Sequence, residues 1–147
     1  MVDVPVPEAG LVIRYLFLWR GEAEDERDQG SKARPCAIVL VMQREEQRTV
    51  VTVVPITHTA PDPNMLAVEL PALVKARLGL DEDRSWILTH ELNTFDWPGP
   101  DVDIIDPNSE TRRIAYGHLP RGLFSKVVDA VRANLKNGRA RALKRTE

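Results

Sequence analysis

The stretch PCAIVLVMQREEQRTVVTVVPIT, residues 35–57, decides the fold. Residues 35–42 and 48–57 are two apolar runs rich in Val and Ile, whose branched side chains suit a pleated sheet. QREEQ, residues 43–47, is a polar turn between them, so the pair predicts a β-hairpin. The apolar content is nearly continuous instead of alternating. That predicts burial on both faces, as in a small closed barrel.

The chain around this hairpin fits the same plan. Upstream, LVIRYLFLW (11–19) reads as a first strand, and residues 1–9, with two prolines, as an extended arm. GEAEDERDQGSK (21–32) reads as a solvated acidic loop, with a flap over a neighbouring site as the sharper alternative. Downstream, LAVEL (66–70) is a short strand. PALVKARLGL (71–80) opens on Pro71 and ends at Gly79, and Leu73, Ala76 and Leu78 support no more than two helical turns. A strand is expected from Ser85 to Phe95, with Trp86 in the core. WPGPDVDIIDPNSE is too rich in turn residues to be helical. IAYGHL is a last short strand. Pro120 then opens an amphipathic helix through Leu123, Val127, Val128, Val131 and Leu135, which Gly138 ends. Residues 139–147 read as a frayed basic tail. Strands, a short helix, further strands and a terminal helix do not alternate as βαβ units. The expectation is one mainly β (α+β) domain over residues 1–147.

Composition excludes several classes. The chain has a single cysteine, so no intrachain disulfide can form. Cys36 lies inside an apolar run and reads as a small, inert hydrophobe. No apolar run approaches the roughly 20 residues that span a bilayer, and the acidic, proline-bearing N-terminus does not resemble a signal peptide. A cytoplasmic protein with no membrane contact is the expectation. Three scattered histidines and one cysteine show no metal-ligand spacing, so no metal and no cofactor are expected. A net charge of -2 neither demands nor excludes a nucleic-acid partner.

The motif that asks for a reason is Arg34 set directly before Pro35. Proline fixes its own φ and restricts the residue before it, so the arginine is held at a strand mouth. Taken alone, Arg34-Pro35 reads as a strand entrance with a surface arginine, and Pro55-Ile56-Thr57 as a strand exit with a turn-forming threonine.

In combination these segments resemble the MazF/PemK toxins of type II toxin–antitoxin systems. GSKARPCAIVLV (30–41) followed by VVPITHT (53–59) is similar to the family's glycine-led basic loop, Arg-Pro, apolar strand and Pro-x-Thr. GLVIRYLFLW (10–19), SWILTHELNTFDW (85–97) and YGHLPRGLFSKVVDAVRANL (116–135) resemble its first strand, its Trp-ended core strand, and its last strand with terminal helix. The resemblance implies an SH3-like β-barrel of the CcdB/MazF type that forms a homodimer. It also implies metal-independent cleavage of single-stranded RNA and inhibition by a cognate antitoxin. It places the catalytic arginine on Arg34 and the catalytic threonine on Thr57.

The chemistry gives both residues work. Attack by the RNA 2′-hydroxyl on the adjacent phosphorus leaves a 2′,3′-cyclic phosphate and gathers negative charge on phosphoryl oxygens. A guanidinium stays charged and presents a planar fork of donors to such oxygens. It is a poor base, so another group must move protons. His58, beside Thr57, is the candidate acid or base, against the alternative of a plain turn histidine. Lys32, Arg14 and Trp97 are candidate RNA contacts, two cations and an indole large enough to stack a base. The acidic loop, and the acidic WPGPDVDIID segment where many relatives carry basic residues, depart from the family pattern. They keep two alternatives open: a CcdB-like toxin that binds a protein target such as DNA gyrase, or an inactive partner-binding barrel.

Overall fold

The computed structural model describes residues 2–20 and 32–145. Most of the acidic segment 21–32 lies outside them, so the flap expectation is not addressed. The described strands are β1 (Val2–Asp3), β2 (Leu11–Leu16), β3 (Ala33–Gln43), β4 (Thr49–Thr57), β5 (Val68–Glu69), β6 (Trp86–Ile87), β7 (Glu91–Asp96), β8 (Arg112–Arg113), β9 (Ala115–His118) and β10 (Arg141–Lys144). The helices are α1 (Ala72–Leu78) and α2 (Arg121–Lys136), with a 3-10 turn at Glu45–Gln47. The main sheet runs β10-β7-β4-β3-β2-β9, with β5 and β6 joined at the far end of β4. The fold is mainly β (α+β), as the sequence predicts, and its sheet curls into a half-barrel.

The predicted hairpin is the centre of the sheet. β3 and β4 pair antiparallel from Gln43↔Thr49 to Cys36↔Pro55. Its two faces carry two apolar clusters. Val12, Ala37, Val54 and Ile87 pack with Val74 and Leu78 of α1 and Val127 and Val131 of α2, while Ile13, Tyr15, Phe17, Cys36, Ile38, Val53 and Phe95 fill the opposite side. Burial on both faces explains the unbroken Val/Ile run. Each such side chain contributes about 1.5–3 kcal/mol when fully removed from water.

Several expectations are corrected. The strand from Ser85 to Phe95 is broken into β6 and β7 by a turn at residues 89–90. There the Thr89 hydroxyl donates to the Leu66 carbonyl and accepts from Asn134 Nδ2, 2.8 Å away. A buried side chain that captures its own bonds competes with the ladder. Trp86 is half-buried and not in the core, with the Arg84 guanidinium over its ring at 5.0 Å. In α1 the buried face is Val74, Lys75 and Leu78, whereas Leu73 is 81% exposed. In α2, Asn134 is buried and Leu135 is exposed.

Residues 139–145 of the tail are not frayed. β10 pairs parallel with β7, from Arg141↔Glu91 to Lys144↔Thr94. Beyond it Arg145 is buried and bonds Asp101 Oδ2 at 2.9 Å. The N-terminal arm is pinned as well, through β1 on β8 and through Trp97 Nε1, which donates to the Pro5 carbonyl at 3.2 Å.

Candidate active site

The ladder between β3 and β4 stops at Cys36↔Pro55. Pro55 is in that last pair and Pro35 directly precedes Cys36, and proline carries no N–H to continue a ladder. On its other side, β3 still pairs with β2, Arg14 opposite Pro35 and Tyr15 opposite Arg34. The end of β4 turns to β6 instead, with Ile56↔Ile87, Thr57↔Trp86 and Leu88 N donating to the Pro55 carbonyl. The two strands therefore part, and the gap is a cleft of about 360 Å³. Arg34, Thr57, His58, Arg14 and Lys32 all line it. Trp97 does not. It packs on Phe95 at 6.3 Å between ring centroids, with its indole N–H held by Pro5.

Arg34 has its guanidinium over the Trp19 ring, 4.8 Å from the centroid. Its Nε is buried and without a hydrogen-bond partner among the described residues. A planar cation braced on an indole keeps its orientation while retaining donors for a ligand. Thr57 is 8% exposed, and its Oγ1 accepts from Thr59 N at 3.2 Å. A hydroxyl that accepts this bond still has its own proton to donate.

Arg14 forms the second cationic wall. Burial works against its charge, but bonds to Tyr116 and Asp103 outweigh this and raise its pKa above the ordinary value. Its Nε lies 3.1 Å from Asp103 Oδ2. Among the described residues, Lys32 and Arg34 have no carboxylate partner, and with Arg14 they give the described lining of the cleft a cationic side suited to an anion.

The remaining wall comes from α1, and sequence reasoning missed it. Gly79 ends the helix at φ +72, and Leu80 N then donates to the Lys75 carbonyl. Only glycine takes this left-handed turn cheaply. The reversal brings Asp81 back over Lys75, which is 4% exposed. Its ammonium donates to Asp81 Oδ1 at 2.6 Å, to Ser85 Oγ at 2.6 Å and to the Asp83 carbonyl. All three donors are thereby used, as a buried ammonium requires. Asp81 Oδ2 lies 2.8 Å from His58 Nε2. The Lys75 bond is the main reason that the Asp81 carboxyl titrates below its ordinary range. The lysine-lined helical face was legible only as an unexpected Lys among apolar neighbours.

His58, Asp81 and Asp83 have ligand-type atoms within 4.8 Å of one another. The Lys75 ammonium already occupies the shared carboxylate, and its charge opposes a divalent ion there. The other histidines lie elsewhere. His118 Nε2 pairs with Glu8 at 3.0 Å, a partner that the sequence did not suggest, and His90 sits in the turn before β7. Glu91 accepts from Arg20 N, and Asp96 pairs with Arg48. Cys36 is fully buried, which pushes its thiol pKa up and leaves it inert.

No helix among the described residues is long and apolar enough to cross a membrane. No curated protein matches the chain. Residues 19–135 match the PemK-like, MazF-like toxins of type II toxin–antitoxin systems, a span that includes the hairpin, the cleft and α2. The chain belongs to that family of toxins.

Proposed function

We propose that this toxin is an endoribonuclease that cleaves single-stranded RNA without a metal, as a cytoplasmic homodimer held in check by its cognate antitoxin. The observation that carries this reading is the convergence of Arg34 and Thr57 on one cleft that Arg14 and Lys32 also line. The RNA 2′-hydroxyl attacks phosphorus, the bond to O5′ breaks, and the products are a 2′,3′-cyclic phosphate and a 5′-hydroxyl. Arg34 stabilises the charge that develops on the phosphoryl oxygens, and its bracing by Trp19 and Pro35 avoids reorganisation. Thr57 donates its hydroxyl to the same phosphate. Lys32 and Arg14 hold the flanking backbone.

The test is incubation of the purified protein with long mixed-sequence RNA in chelator, with the product ends mapped. Cyclic-phosphate ends are expected from the wild type, and intact RNA from Arg34→Ala. Induced expression should arrest growth, and the same substitution should relieve the arrest. Uncleaved RNA together with an arrest that survives Arg34→Ala overturns this reading in favour of a toxin that binds a protein target.

A further inference from the structure

The proposed chemistry leaves one role open, because a guanidinium cannot accept the proton of the attacking hydroxyl. The cleft contains a relay that can. We infer that His58, oriented by Asp81 and through it by the buried Lys75, is the base that takes the 2′-hydroxyl proton. This rests on the nuclease reading above.

The geometry has three layers. Lys75 is locked by its three acceptors and cannot swing. Asp81 is fixed through Oδ1 by that ammonium, so its other oxygen has a set direction. Oδ2 meets His58 Nε2 at 2.8 Å. A carboxylate only accepts, so Nε2 carries the hydrogen and the neutral ring presents an unprotonated Nδ1. That nitrogen has no partner among the described residues. His58 directly follows Thr57 and lines the same cleft as Arg34. Asp81 and Lys75 touch no substrate in this scheme. They are positioning residues, related to His58 as the third group of a hydrolase triad is to its histidine.

The step balances. Nδ1 takes the 2′-hydroxyl proton as the bond from O2′ to phosphorus forms. The bond from phosphorus to O5′ breaks on the opposite side of an in-line displacement, so O5′ draws its proton from water. The imidazolium then returns its proton to solvent. The charged and titratable groups facing His58 are Asp81 and Asp83 on the turn after α1, Lys75 on α1, Arg34 and Lys32 at the mouth of β3, and Arg14 and Tyr116 on β2 and β9. An apolar surface histidine would have no such frame.

The experiment measures kcat and KM against pH on a short single-stranded RNA in chelator, for wild type, H58Q, D81N and the double variant, with thermal melts as the check on folding. H58Q is expected to lower kcat by about 100-fold and to remove the acidic limb of its pH profile. D81N is expected to lower kcat by roughly 10-fold with KM unchanged, a modest loss because water can replace a half-exposed carboxylate. In the H58Q background D81N is expected to have no further effect. An Asp81 that only supports the fold would cost the same factor in both backgrounds, which overturns its positioning role. Wild-type kcat in H58Q overturns the base assignment while leaving RNA cleavage and its Arg34 dependence intact. A wild type that does not cleave RNA overturns both.

Discussion

Arg34 and Arg145 flank the same strand, and each lies over an aromatic ring, Trp19 at 4.8 Å and Tyr15 at 5.4 Å. Their surroundings are opposite. Arg145 has a fully buried side chain that bonds Asp101, the Leu16 carbonyl at 2.7 Å and Asn93 Oδ1 at 3.1 Å. Asn93 in turn bonds both the N–H and the carbonyl of Leu18, where β2 has ended and the backbone needs partners. That arginine completes a closed polar hub. Arg34 lines the open cleft and has no carboxylate partner among the described residues. Residue type and aromatic support are shared. The difference is that carbonyl and carboxylate oxygens of the described residues surround the Arg145 guanidinium, whereas Arg34 faces the cleft, where a ligand can reach it.

The comparison breaks most sharply at the hub. Arg145→Ala strands the buried Asp101 carboxylate, which is expected to destabilise the fold by about 3–5 kcal/mol. Urea unfolding measures it, and a wild-type midpoint would mean that the hub does not hold β10 on the sheet. Arg34→Ala should do the reverse. Loss of one preorganised donor is expected to lower the RNA cleavage rate by about 100- to 1,000-fold with little change in the melting temperature. If instead stability collapses, Arg34 belongs with Arg145 as a structural cation.

Gly79→Ala sharpens the role of the turn that builds the third cleft wall. No atom lies within 4 Å of the added methyl group, so the cost is backbone strain at φ +72 alone. About 1 kcal/mol is expected by denaturant titration. The smallest effect is in acid. The Asp81 pKa is depressed in the fold, mainly by Lys75, so its contribution is complete above the ordinary Asp range near pH 4. It is lost as pH falls through the lower folded value. Melting temperatures measured from pH 5 downward should fall further for the wild type than for D81N, because Glu69 with Arg84 and Asp96 with Arg48 remain in both. Parallel curves would show that the Lys75–Asp81 contact adds nothing.

Much of the architecture was legible before any coordinates. The hairpin, α1 between Pro71 and Gly79, and α2 from Pro120 follow from runs and stop signals that act over a few residues. The break at Thr89 was not, because the bonds that interrupt the strand come from Leu66 and Asn134, 23 and 45 residues away. The tail failed for the same reason. RARALKRTE looks solvated until Asp101 and the edge of β7 are placed beside it. Of the site, Arg34 and Thr57 were marked by their prolines, whereas Asp81 and Lys75 carried no mark until the glycine turn folded one onto the other.

Periodicity, proline chemistry and motif order are local properties of the chain, and they were enough to mark the sheet's central hairpin, the family and the two residues at its parted end. Which charges pair with one another among the described residues, and which face the cleft, was set by folding. Pairing energies depend on distance and burial between residues far apart in sequence, and neither quantity exists until the chain has folded.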